Sequence, residues 1–242
     1  HRQSLTNLDQ VSRSAWNALV QEKNHYVRHE VLAALEHHDC VGKKFGWLPR
    51  HIAVYEESEL IGAMPLYEKY NSYGEFVFDH SWAEAYKHHK LRYYPKLVSS
   101  IPYTPASGQR LLAKLGREAE IYPILLEAAV QLAEALEASS IHWLFPLAAE
   151  QDWLSEQQLI TRHDCQFHWR NFGYASFDDF LETFSSKKRK NVKQERRKVQ
   201  EAGVDLRILN GYTATDADWE RFAFFYQHTF ESKWGTPTLN EG

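Results

Sequence analysis

The hydrophobic period changes three times along this chain, and that constrains its fold more than any single motif. Between Tyr26 and His37 the apolar residues Val27, Val31, Leu32 and Leu35 recur at helical spacing. From His51 the pattern becomes strand-like: runs 51–55 and 60–67 flank the polar stretch Glu56–Glu59, which reads as a hairpin. Pro65 lies inside the second run and predicts a bulge or an edge there. Helical spacing returns over Ile121–Ala138, with Ile121, Leu125, Ala128, Leu132 and Leu136 on one side, and Pro123 is expected in its first turn. Ile141–Phe145 is again a strand. Helices and strands mixed in this order predict an α+β fold.

The intervening pieces complete the expectation. Residues 12–22 read as a first helix capped by Ser12. Tyr73–Phe78 and Tyr93–Ile101 read as strands, Asp79–Tyr86 as a loop entering a short helix, and Pro102–Arg110 as a turn-rich loop. Asp152–Gln158 is expected to be helical and Cys165–Trp169 a strand. After a break at Asn171–Tyr174, a capping-box-like Ser176–Asp179 opens a helix to Phe184. A strand over Val204–Leu209 and a final helix bearing Trp219, Phe222, Tyr226 and Phe230 follow. The domain expectation is a first unit over 1–169 and a second over 170–242, cut short in this chain because its last helix has no partner sheet.

Composition removes several classes. At 242 residues, 43 % hydrophobic and 14 % aromatic, the chain has the material for a packed core and is not a disordered polymer. No apolar run approaches the ~20 residues that span a bilayer. Cys40 and Cys165 match no metal spacing and read as two buried free thiols, consistent with a reducing cytoplasm. Thirteen His occur without HExxH or partner carboxylates at ligand spacing, so no metal is expected.

Charge is distributed unevenly. Lys187–Lys198 holds eight Lys or Arg against one acid, a net +7 in a chain whose total is −4, leaving −11 elsewhere. Val192, Val199 and Ala202 form a thin apolar stripe meant for the core, and Gly203 stands at a helix stop, so a helix over 185–202 is predicted. Its broad cationic face reads as a solvated surface or as a site for a phosphate-rich ligand such as nucleic acid, a nucleotide cofactor or an anionic membrane.

The order of elements in the first unit is helices, antiparallel hairpin and strand, then a strand–loop–helix–strand crossover. That order resembles the GNAT acyltransferase fold. In that fold the loop after the fourth strand, at the head of the long helix, holds a pyrophosphate on backbone N–H groups and the positive helix end. The corresponding stretch here is Pro105–Arg110, with Lys114, Gly116 and Arg117 beyond it. Acyl transfer to an amine needs a base and an oxyanion donor. Asp79, at the end of an apolar run, reads as base or amine anchor, or simply as a loop cap. Tyr94, Lys96 and Tyr103 flank the fourth strand, where a phenol can act as general acid, and Trp82 and Tyr86, four apart, line a pocket or belong to the core. Arg110 suits a bidentate phosphate or carboxylate contact, and Lys188, Arg189, Asn191 and Arg196 a second anionic contact. No Ser-His-Asp or Cys-His arrangement is legible, so no covalent acyl-enzyme is expected.

Several separated blocks resemble one bacterial family: Arg28–Glu36, Gly46–His51, Tyr73–Tyr86, Tyr93–Leu97, Ile101–Pro105 with Gly108–Leu112, and Ser185–Asn191. The family is the FemAB-like predicted N-acyltransferases of peptidoglycan biosynthesis and recognition, within the GNAT superfamily. The resemblance implies two tandem GNAT-like domains with a cleft between them, the second incomplete here, in a cytoplasmic bacterial protein. It implies no tightly bound cofactor but an anionic acyl donor, acyl-CoA or aminoacyl-tRNA, and an amine acceptor such as a peptidoglycan precursor. The basic helix ending at Gly203 is similar to one in Fem-type aminoacyl transferases. The alternative is a non-catalytic module that grips RNA or a peptidoglycan precursor through that helix.

Overall fold

The computed structural model describes residues 1–21, 24–233 and 235–240. They divide into two compact units, one of residues 1–161 with 223–242 and one of 162–222.

The first unit opens with β1 (Arg2–Leu5), α1 (Arg13–Ala18) and α2 (His29–His37). Ser12 caps α1 as expected, its hydroxyl accepting from Ala15 N, but the helix stops at Ala18; the last residue of the expected 12–22 span lies outside the described residues. Next come β2 (Trp47–Pro49), β3 (His51–Glu56), β4 (Glu59–Met64) and β5 (Tyr67–Lys69). The hairpin is β3–β4. Pro65 does more than bulge the second run. It ends β4 in one sheet, and the chain resumes as β5 in another. Helix α3 (His80–His88), β6 (Lys96–Ser99), β7 (Leu112–Ala113), α4 (Glu118–Ala135), β8 (Ile141–Trp143) and α5 (Ala148–Glu156) complete the unit's regular elements up to residue 161.

The first sheet has the order β1-β3-β4-β7, all antiparallel, and the second β2-β5-β6-β8. Among the described residues only β6 and β8 pair in parallel, joined through α4, which is the expected crossover. The first sheet is covered on both faces. Ile52, Val54, Ile61 and Met64 meet Ile121, Leu125 and Ala129 of α4, while Ala53, Leu60 and Ala63 meet Leu8, Trp16 and Leu32. Coverage on both sides explains why β3 reads as a nearly continuous apolar run. Gly62 allows the close approach of α4, since a Cβ there would lie 2.4 Å from Ile121 Cγ2.

Several expectations are corrected. Tyr73–Phe78 is a turn with Gly74 and Phe76 at positive φ, not a strand. Leu112–Ala113 is a strand that the loop reading passed over. Helix α4 begins at Glu118, so Pro123 lies beyond the first turn and forfeits the bond to the Ala119 carbonyl. Helix α5 starts at Ala148, earlier than Asp152. Cys40 is buried but Cys165 is exposed.

In the second unit, α6 (Phe177–Glu182) starts with the expected box: Ser176 Oγ accepts from Asp179 N, and Asp179 Oδ2 accepts from Ser176 N. Helix α7 (Ser186–Glu201) is the basic helix, capped by Ser185. It buries none of its residues: Val199 is exposed and Val192 half-buried, so the stripe meant for the core is not in one. Cys165–Trp169 and Val204–Leu209 carry no strand ladder, because alternation without a paired neighbour satisfies no backbone groups. Helix α8 (Asp216–Ser232) is the expected last helix and spans the division between the units.

Candidate functional site

Strands β5 and β6 pair antiparallel with Lys69 directly opposite Lys96. Like charges in that register repel. Both lysines are also fully buried, so each ammonium requires a compensating partner.

The connection between the two strands supplies it. After β5 the chain turns at Gly74, φ +78°, where a Cβ would sit 2.5 Å from the Tyr103 ring. From there Glu75 and Asp79 point inward, each 2 % exposed, while Phe76 and Phe78 point outward at 52 % and 71 % exposed. Lys96 Nζ donates to Glu75 Oε2 at 2.8 Å, to Ser72 Oγ at 3.1 Å and to Asp79 Oδ2. Tyr93 donates its phenol proton to Asp79 Oδ2 at 2.6 Å, and Tyr94 Oη shares a hydrogen bond with Ser72 Oγ at 2.8 Å. Lys69 Nζ donates to the Tyr73 carbonyl at 3.0 Å and lies 3.6 Å from the centre of the Trp47 ring, while Trp47 Nε1 donates to the same carbonyl at 2.9 Å. Lys69 therefore holds the turn that delivers Glu75. Two acceptors remain: Glu75 Oε1 and Asp79 Oδ1 are buried and take no hydrogen bond.

The environment pushes these groups in different directions. Burial alone would raise Asp79, but the donors around it, Lys96, Ser72 close by and Tyr93, together with the Lys96 charge outweigh it and hold Asp79 at about 2. For Glu75 burial prevails over the two lysines and raises the carboxyl above its ordinary value. Burial pulls Lys69 down to about 7 against the pull of Glu75 and Asp79. Tyr93 is raised by burial and by its bond to the Asp79 carboxylate, which keeps it a phenol and a donor.

The structure gathers Asp79 and Lys96 into direct contact and joins Tyr94 to them through Ser72. Asp79 occupies the N-cap of α3, yet its side chain caps nothing and faces Lys96 instead. Tyr86 packs edge-on against Tyr93 at 5.1 Å, and Trp82 of the same helix is exposed. Tyr103 donates its hydroxyl to the Cys40 carbonyl at 2.7 Å, and burial raises its phenol. Sequence reading passed over Glu75, Lys69, Tyr93 and Ser72. One signal for Glu75 was present: the alternation in 75–79 puts acids in and aromatics out, the reverse of a strand over an apolar core.

Arg110 is elsewhere and fully buried. Its Nε donates to the Leu144 carbonyl at 2.7 Å, Nη1 to Gln109 O at 2.9 Å and Nη2 to Ala106 O at 2.7 Å. Glu150 receives the backbone N–H groups of Arg110 and Leu111, each at 2.9 Å. This knot ties the 105–110 loop to β8 and α5. Farther along, Lys114 pairs with Glu59, and Arg117 with Glu56 and Glu120.

In the second unit, α7 carries the other expected anion contacts. Lys188, Asn191 and Arg196 are exposed, with the Arg196 guanidinium 4.2 Å from the centre of the Phe177 ring. Arg189 is half-buried and turns back to the carbonyls of Glu182 and Phe184 at 3.4 and 3.3 Å.

The FemAB-like family, described by peptidoglycan biosynthesis/recognition, matches residues 7–242. The chain belongs to that family. No protein of curated function matches it. Among solved structures, it is similar to the aminoglycoside N-acetyltransferase AAC(6')-Iy in complex with CoA, at TM-score 0.40 and 9 % identity over 71 % of this chain and 98 % of that one. It is similar to a ribosomal-protein-alanine N-acetyltransferase from Brucella melitensis biovar Abortus 2308, at TM-score 0.41 and 12 % identity over 71 % and 98 %. A third is the aminoglycoside 6'-N-acetyltransferase AAC(6')-Ih from Acinetobacter baumannii, at TM-score 0.40 and 10 % identity over 72 % and 99 %. Likeness this slight carries no residue or substrate across. Among the described residues no helix is long and apolar enough to cross a membrane, and no cluster of His, Cys, Asp and Glu could hold a metal.

Proposed function

We propose that this FemAB-like chain is an N-acyltransferase that moves an acyl or aminoacyl group onto an amine, with a cell-wall precursor as the acceptor class. The observation that carries the reading is the buried Lys96–Asp79–Glu75 cluster. Buried carboxylate oxygens of a structural ion pair normally find a hydrogen-bond donor, whereas this cluster keeps two without one beside phenol donors. In the reaction Asp79 holds the acceptor amine, and Tyr94 is the phenol that faces the developing oxyanion. Tyr103 and Lys69 position the turn, and Trp82 and Tyr86 flank it on α3. The parallel β6–α4–β8 crossover supports a GNAT-like first domain, and residues 170–242 are read as the start of a second. The donor is an anionic acyl carrier, acyl-CoA or aminoacyl-tRNA, drawn by Lys188, Arg196 and the other α7 cations with Asn191 as a neutral polar contact, and the setting is the cytoplasm. Arg110 braces its loop and does not meet the donor.

The test is transfer by the full protein from CoA, carrier-protein and tRNA donors to amine acceptors. Transfer from one donor, abolished by Asp79→Asn, is the expected result. Absence of both transfer and binding with all three would overturn the proposal. One observation favours a second reading, a recognition module without chemistry: α7 carries a net +6 and buries nothing. Under it, Lys188→Ala with Arg189→Ala abolishes binding of RNA or precursor, and Asp79→Asn changes nothing.

A further inference from the structure

Glu75 and Asp79 share one cation through one oxygen each, Oε2 and Oδ2 on Lys96 Nζ. Their other oxygens, Glu75 Oε1 and Asp79 Oδ1, are buried and accept no hydrogen bond; Lys69 Nζ stands 3.9 Å from Glu75 Oε1, an ion pair beyond hydrogen-bond reach. A buried carboxylate oxygen left in this state is costly, and each of the two acids that share Lys96 carries one. The segment bearing them turns Phe76 and Phe78 to the surface in order to aim its acids inward. Lys96 shows which chemical group the pair accepts, a primary ammonium.

We propose that Glu75 and Asp79 form a receptor for the acceptor's primary ammonium, with Asp79 as its lasting counter-charge and Glu75 as the base that takes its proton. The inference rests on the acyl-transfer reading above and goes beyond it by assigning Glu75. The division of roles follows from their surroundings. Asp79 receives Lys96 and the Tyr93 hydroxyl, which hold it ionised. Glu75 faces Lys96 from β6, Lys69 from β5 and Asp79 from the head of α3, and burial still raises it, so it can hold a proton that Asp79 refuses. In the step, Glu75 takes one proton from R–NH3+. The freed nitrogen lone pair forms a C–N bond to the acyl carbon of a thioester or ester donor, and the C–S or C–O bond breaks. The leaving thiolate or alkoxide takes a second proton from that nitrogen, and Glu75 returns its proton to water.

The test is a 13C titration of Glu75 Cδ and Asp79 Cγ in the full chain, assigned by the loss of each signal in Glu75→Gln and Asp79→Asn. It is run with ethylammonium chloride and with sodium chloride at equal strength. We expect Asp79 to ionise at lower pH than Glu75. Ethylammonium but not sodium should shift both carbons saturably and lower the Glu75 midpoint. Each variant should weaken that response at least tenfold. A reversed order of ionisation, or no saturable response, would overturn the receptor. If the native chain transfers an acyl group and Glu75→Gln transfers it at the full rate, the base assignment fails while the acyl-transfer reading stands. If no donor supports transfer, that reading fails and the titration still decides the receptor.

Discussion

Lys96 and Arg110 are both fully buried cations of the first unit, and the fold treats them differently. Around Arg110 the guanidinium reaches three carbonyls, and Glu150 takes the two backbone N–H groups at the start of β7. Burial lowers Arg110 only to about 10, so it stays charged at neutral pH. Its partners are mostly backbone, which makes it a brace between the 105–110 loop, β8 and α5. Around Lys96 the partners are side chains: two acids, a serine and, one step out, two phenols. That cluster sets one lysine against another and leaves two acid oxygens without a hydrogen bond. Burial of charge therefore does not distinguish a brace from the proposed site. The identity of the partners and the completeness of their pairing do.

If the contrast is right, the largest effect belongs to the brace. Glu150→Ala leaves two backbone N–H groups without their acceptor and removes the negative charge near the buried guanidinium, and denaturant unfolding should show a loss of about 3–5 kcal/mol. A loss below ~1 kcal/mol would erase the distinction from that side. Asp79→Asn should lower the transfer rate at least ~100-fold, about 2.7 kcal/mol of barrier. It should cost less stability than Glu150→Ala, because the amide still accepts from Lys96 or Tyr93.

The pH dependence sharpens the picture further. Lys69 has a folded value of about 7 against an ordinary 10.5. The folded chain thus binds fewer protons than the unfolded one between those values, and this contribution to stability rises with pH across that window. Unfolding of the native chain and of Lys69→Met at stepped pH should show the native chain gaining on the variant from pH 7 upward; parallel curves would contradict the burial argument. Asp79 has the same sign in a lower window. Its value of about 2 against 3.8 gives stability that is present above 3.8 and lost as pH falls towards 2. The smallest effect is Tyr93→Phe, which removes one hydrogen bond to Asp79. It should cost about 1 kcal/mol, and Asp79 should then titrate at higher pH. An unmoved Asp79 would show that the phenol is a bystander.

Much of the frame was legible in the sequence because it rests on local repetition. The β3–β4 hairpin, α2, α4 and the basic helix all announce themselves by spacing, and Ser12 and Ser176 by cap chemistry. Half of the site was legible too: Asp79, Lys96 and Tyr94 were singled out and do meet, Tyr94 by way of Ser72. Glu75 was hidden because its neighbours Phe76, Val77 and Phe78 look like strand residues, and a φ of +58° at Phe76 turns them into a loop. Lys69 and the brace role of Arg110 were hidden for a different reason. Each depends on partners from other elements, the register with Lys96 in one case and Glu150 in the other. The apparent strand at Val204–Leu209 failed likewise, since a strand is a property of pairs and alternation describes one member.

The most direct test is the acyl-transfer rate of Asp79→Asn and Arg110→Lys beside the native chain, with each rate divided by the fraction folded under assay conditions. The account predicts that Asp79→Asn loses at least ~100-fold per folded molecule while remaining folded, and that Arg110→Lys loses folded protein but keeps the rate of what remains. Equal rates per folded molecule for Asp79→Asn and the native chain would contradict it.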